Sequence, residues 1–245
     1  MSAIFKYLQE FYQKECKLYY FLAVLLLLGV YIYLNYWHAL EIRFAASGKT
    51  KWGKFFGYYL LYLIPFAAAF FLQLLFYKDC DYYRNCWFWI ILLLAPAFFS
   101  FRINFDFHQQ AIKNTWTGDA QIFWMRCLNL VFRVFALLIP VFIVWLIKDR
   151  GNLPFYGTAA LKNVTPYLIM LLIMIPLIAL ASTQKDFLQL YPKAGFIGQL
   201  DLPTKKWHYI FYELCYGFDF VSIEFFFRGF LILSLVKICG PHCIV

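Results

Sequence analysis

Residues 18–36 run without a single charged side chain, and further predominantly apolar runs recur at 55–77, 86–101, 124–147, 165–181 and 218–238. A helix crossing a hydrocarbon core of about 30 Å needs about 20 such residues. In lipid every backbone polar group must bond within the protein, which leaves helices as the solution for runs of this length. The spacing therefore predicts an all-α, polytopic transmembrane helix bundle of about six spans, with residues 1–245 forming a single integral membrane domain. Composition agrees: the chain is 64% hydrophobic, 23% aromatic and 14% charged, whereas a soluble domain is nearer half apolar and a quarter charged. The excess faces the lipid bilayer. The formal charge of +9 falls mostly between the apolar runs, where it meets lipid headgroups, and does not imply nucleic acid.

Taken in order, residues 2–17 place Ile4, Phe5, Leu8, Phe11 and Tyr12 on one helical face and Lys6, Glu10, Lys14 and Lys17 on the wet side, the pattern of an interfacial helix. The first span has no small-residue cleavage site after it and reads as a retained anchor. Pro65 implies a kink in the second span, and Pro96 a broken or tilted third one. Residues 102–121, with Arg102, Asn104, Asp106 and His108, are expected as a loop or surface helix. In the fourth span Arg126 snorkels to the headgroups, while Arg133 lies deeper and points to the bundle or a lipid phosphate. Pro176 is expected to break the fifth span, and residues 184–204 to lie along the interface before Thr204 caps the next helix. The final run, 205–238, would be roughly 50 Å long as one helix, so a break is expected at Gly217. Lys and Arg are nearly balanced between alternate loops, and the positive-inside rule assigns no orientation.

The seven cysteines lie mostly within or beside apolar segments and read as small buried hydrophobes. Cys80 and Cys86 flank a short loop where a disulfide is conceivable, but free thiols are the expectation. The terminal run Cys239-Gly-Pro-His-Cys243 offers three ligand-type side chains with no distant partner, so no metal or other cofactor is assigned.

Glu224 and Arg228 are the chain's main chemical clue. Four residues apart in an aromatic helix, they lie on one face about a turn from each other. An intramembrane charge costs about 2.5–3.5 kcal/mol on insertion scales and is a functional-site candidate by default. Glu213, Phe220, Glu224 and Arg228 share this side while Asp219 lies off it, and such a stripe is expected to face polar partners or a water-filled cavity inside the bundle. Two readings stand: a general base toward water, or an ion pair that locks helix packing.

The segment SIEFFFRGFLIL at 222–233 resembles the first motif of the CPBP family, the CAAX prenyl endopeptidase and bacteriocin-processing intramembrane proteases. That motif is Glu-Glu-x-x-x-Arg, commonly followed by Gly. Glu224 matches its second Glu, Arg228 its Arg and Gly229 the following residue, whereas Ile223 stands where the family has its first, water-activating Glu. Two carboxylates could substitute: Glu224 itself, or Asp219, a turn before Ile223. The family's later histidine motifs, beginning with Phe-x-x-x-His, have no counterpart around His38, His108, His208 or His242. The resemblance implies an intramembrane endopeptidase acting on a peptide or prenylated protein substrate, in the plasma membrane of a bacterium, with Glu224 and Arg228 as catalytic residues, in an incomplete or inactive copy truncated before the histidines. The ending His-Cys-Ile-Val sets Cys243 too late for the chain to be a prenylation substrate itself. The alternatives are a non-catalytic membrane scaffold or partner-binding protein and a small transporter.

Overall fold

The computed structural model describes residue 9 and residues 17–77, 81–151, 154–157, 164–191 and 193–240. The expected interfacial helix at 2–17, Cys80 and the terminal 241–245 run with His242 and Cys243 lie largely or wholly outside these residues.

Among the described residues the fold is helical, without strands. It comprises α1 (Leu18–His38), α2 (Lys51–Phe76), α3 (Cys86–Asn104), α4 (His108–Thr115), α5 (Gly118–Val144), α6 (Thr165–Ala181), α7 (Lys185–Leu190), α8 (Lys205–Glu224) and α9 (Ile232–Cys239). Four stretches are long and apolar enough to cross a membrane: Leu18–His38, Lys51–Phe76, Cys86–Thr115 and Gly118–Asp149. The chain thus has the helices an integral membrane protein requires. Their outer faces are apolar, carrying side chains such as Leu26, Ile64 and Ile139. In water that surface would cost about 25 cal/mol per Å²; against lipid it costs little.

Local chemistry sets the ends. Thr50 Oγ1 accepts from Gly53 N at 3.0 Å to open α2, and Asn85 Oδ1 accepts from Trp87 N at 2.9 Å to open α3. Lys17 Nζ donates to Phe76 O at 3.0 Å, placing a cation on the carbonyl end of α2, where the helix dipole favours it. Helices α2 and α3 pack extensively, α1 lies on α2, and α5 packs on α3, α4 and α8. Lipid tails are as apolar as the side chains, so helix association here rests on close packing. One core gathers Phe70, Phe88, Ile91, Leu137, Val141, Phe226 and Phe230, and a second gathers Phe123, Cys127, Ile197, Tyr212 and Cys215. Gly57 permits one close approach, since a Cβ there would stand 2.7 Å from Ala45 Cα.

Several expectations are corrected. Helix α3 continues past residue 101 to Asn104, because Arg102 finds a buried acid (below) and Asn104 Nδ2 folds back to Ser100 O at 2.9 Å. Helices α2, α3, α5 and α6 run through Pro65, Pro96, Pro140 and Pro176, so the break expected at Pro176 is absent. Neighbouring groups in a membrane bundle can re-satisfy what a proline frees. No break occurs at Gly217 either: α8 passes straight through it, and the irregularity comes later, as a π-helical stretch Phe225–Leu231 joining α8 to α9. Helix propensity is a weak prior, and here the buried side of α8, with Tyr212, Cys215, Asp219 and Ser222, overrides one glycine. Thr204 occupies the residue before α8 but makes no side-chain cap; its φ is 51°, and its carbonyl accepts from Trp207 N at 3.0 Å. Helix α6 is apolar over Leu168–Ala181, shorter than the four long stretches.

Candidate functional site

Glu224 is the last residue of α8, and Arg228 lies in the π-helical stretch. Arg228 Nε meets Glu224 Oε2 at 2.6 Å, so the pair expected from the i, i+4 spacing forms. Its side chains are 51% and 78% exposed, the acid being the less exposed. Glu213 and Phe220 are exposed on the same side, so the stripe exists but faces outward rather than into the bundle. The helix is packed by its other face, through Ser222, Phe226 and Phe230.

The buried acid of α8 is Asp219. Arg102, from α3, places Nη2 at 2.5 Å from Asp219 Oδ1, with the side chains only 6% and 8% exposed. Ser222 Oγ donates to the Asp219 carbonyl at 2.7 Å, and the Arg102 guanidinium stands 5.5 Å from the centre of the Phe99 ring. Low dielectric makes such a pair strong once formed and makes either partner costly alone. Asp219, as one substitute for the family's first acid, is therefore occupied by an arginine. Its counterpart position, Ile223, is partly buried against the larger core. One sequence signal could have found the Arg102–Asp219 pair: each is a lone charge beside an apolar run, and lone charges there require an opposite partner.

Two of the described histidines, His108 and His208, are engaged elsewhere. His108 Nε2 lies 2.6 Å from Asn129 Oδ1 with its ring against Phe132. His208 Nδ1 lies 3.2 Å from Thr204 O, its ring edge-on to Phe123. Among the described residues no group of three or more His, Cys, Asp or Glu side chains is placed to hold a metal ion. Cys86, Cys127 and Cys215 are free thiols.

A second polar cluster, absent from the sequence reading, sits where α5 ends. The π-helical turn Trp145–Asp149 buries Asp149, which accepts from Tyr156 Oη at 2.9 Å and pairs with Lys237 Nζ at 3.4 Å. Burial pushes the Tyr156 phenol above its ordinary value, and the hydrogen bond to Asp149 adds to this. Tyr156 adopts φ 33°, a conformation costing a non-glycine residue of order 1–3 kcal/mol that the surroundings must over-determine. They do so with the Asp149 bond and with rings of Phe225 and Phe230. Gly229, the residue after Arg228, lies directly under it: a Cβ there would be 2.9 Å from the Tyr156 carbonyl oxygen. The glycine of the Arg-Gly pair thus has a packing reason.

The sequence matches no family model, and it shows similarity to no curated protein and to no solved structure. The likeness to CPBP proteases rests on the motif residues at 222–233.

Proposed function

We propose that this chain is a CPBP-like intramembrane endopeptidase scaffold of about six spans, with α6 and the helix from α8 to α9 as the further membrane segments, carrying the acid and arginine half of a hydrolytic site. Glu224 is its carboxylate and Arg228 orients it. The observation that carries this reading is the closed Glu224–Arg228 pair on an open face where regular helix gives way to a π-helical stretch, a feature frequent at functional sites. Activating water toward a peptide carbonyl needs, besides a carboxylate, a second proton-transfer or electrophilic group in reach. Among the described residues His108 and His208 make their contacts elsewhere, which supports reading the chain as an incomplete or inactive copy. Its setting is a bacterial plasma membrane, and its substrate class is a peptide or prenylated protein held at the bilayer. The test is hydrolysis of prenylated and leader peptides by purified, reconstituted protein. No cleavage is expected; cleavage abolished by Glu224→Gln would overturn the inactivity.

The mutual closure of the pair also favours a second reading, a non-catalytic partner-binding scaffold in which the pair holds its own helix turn. Exchanging the two charges, Glu224→Arg with Arg228→Glu, then preserves folding and any partner co-purified with the wild type.

A further inference from the structure

Where α3 ends and α5 passes α4, a cavity of about 120 Å³ is lined by Arg102, Asn104, Asp106, Gln109, Asn129 and Arg133. Its polar wall distinguishes it from the larger cavity, about 510 Å³, whose lining is mainly apolar and includes Leu61, Phe66 and Phe227. Arg102 is 6% exposed; Asp219 takes its Nη2, but its Nε is buried without a hydrogen-bond partner. A charge-bearing donor left buried and unpaired calls for an acceptor. Arg133 has no ion-pair partner among the described residues. Asp106, the carboxylate in the wall, is engaged by Lys51. Arg102, Arg133 and Lys51 against Asp219 and Asp106 leave one positive charge uncompensated. His108 Nε2 and Asn129 Oδ1 face each other; Asn129 and Gln109 both line the cavity and carry amide N–H groups able to donate to an acceptor there.

Planar guanidinium donors with neutral amides around a small polar void match the oxygens of a tetrahedral oxyanion. We propose that this cavity binds a phosphate group, with Arg102 Nε and the Arg133 guanidinium as charged donors and Asn129 and Gln109 as neutral ones. The volume suits a phosphate and not a hydrocarbon chain. The proposal rests on α3, α4 and α5 and is independent of the endopeptidase reading, since neither Glu224 nor Arg228 lines the cavity.

The phosphate comes from a lipid headgroup or from solution, and two arms separate these sources. The full chain, purified in a maltoside detergent without phosphate, is titrated with inorganic phosphate and separately with phosphatidylglycerol, and bound ligand is read by native mass spectrometry and calorimetry. The expected result is one tightly retained phosphate group per chain. Saturation by inorganic phosphate alone assigns a free phosphate; retention of the lipid only assigns a headgroup. Arg133→Gln weakens binding tenfold or more, Asn129→Asp does the same by adding a carboxylate, and Arg150→Gln, outside the cavity, leaves it unchanged. Arg133→Lys, which keeps the charge and the fold, binds at an intermediate level. Absence of binding in both arms, or binding indifferent to Arg133→Gln and Asn129→Asp, overturns the proposal and leaves ordered water as the partner of Arg102 Nε.

Discussion

Two glycines of the same terminal helical stretch are expected to respond to alanine with opposite signs. At Gly217 the space a Cβ would occupy holds no heavy atom within 4 Å. Gly217→Ala therefore collects the ordinary helix-interior gain of about 1 kcal/mol. At Gly229 the added carbon would meet the Tyr156 carbonyl oxygen at 2.9 Å, with Tyr156 Cβ and Phe225 Cδ2 each at 3.5 Å. The near atom is backbone, fixed by the bond from the Tyr156 phenol to Asp149, so relief requires moving a packed segment. Because the atom that must shift is backbone, the overpacking falls in the upper part of the usual range, about 2–3 kcal/mol, which exceeds the propensity gain and leaves Gly229→Ala destabilised by roughly 1–2 kcal/mol. Both variants can be compared with wild type by reversible unfolding from mild into denaturing detergent, followed by tryptophan fluorescence. If Gly229→Ala is as stable as Gly217→Ala, the close approach of Tyr156 to the Arg-Gly turn is wrong.

Other perturbations read the remaining contacts. Tyr156→Phe removes a hydrogen bond to a buried carboxylate and is expected to cost about 1.5–3 kcal/mol, measured in the same unfolding assay. Because the Tyr156 phenol is raised in the folded state, the unfolded chain loses its proton first; wild-type stability should fall as pH rises above about 10, the ordinary tyrosine value, and Tyr156→Phe should flatten that alkaline loss. Ser100→Ala deletes the 2.6 Å bond from Ser100 Oγ to Phe55 O that ties α3 to α2, an expected loss of about 0.5–1.5 kcal/mol visible as a lower midpoint. Gly57→Ala would press a Cβ to 2.7 Å from Ala45 Cα and should destabilise by about 1–3 kcal/mol in that assay.

What could be read from sequence followed the range of each interaction. The long apolar runs were legible because hydropathy acts over a whole helix, and α1, α2, α5 and α6 begin or end close to the expected limits. The Glu224–Arg228 pair was legible because its partners are one turn apart. Its direction was not: the stripe of Glu213, Phe220, Glu224 and Arg228 is the same whether it faces in or out, and packing of Phe226 and Phe230 decides that. The Arg102–Asp219 pair joins residues 117 positions apart, so local spacing does not connect them, and Arg102 reads as the start of a loop or surface helix because the residues after it are polar. Gly217 misled because a single glycine is a small term beside the buried face of α8. The π-helical stretch Phe225–Leu231 was hidden in a run of aromatics whose period does not distinguish it from regular helix.

Two ion pairs divide the labour of holding the fold: Arg102–Asp219 is buried and ties the bundle together, whereas Glu224–Arg228, on the open face, bears little of its stability. The most direct measurement compares the unfolding free energies of Asp219→Asn and Glu224→Gln under identical conditions. Asp219→Asn strands the Arg102 charge in a site 6% exposed and is expected to cost about 3–5 kcal/mol, while Glu224→Gln opens an exposed pair worth about 0–1 kcal/mol. A larger loss from Glu224→Gln than from Asp219→Asn would contradict the account.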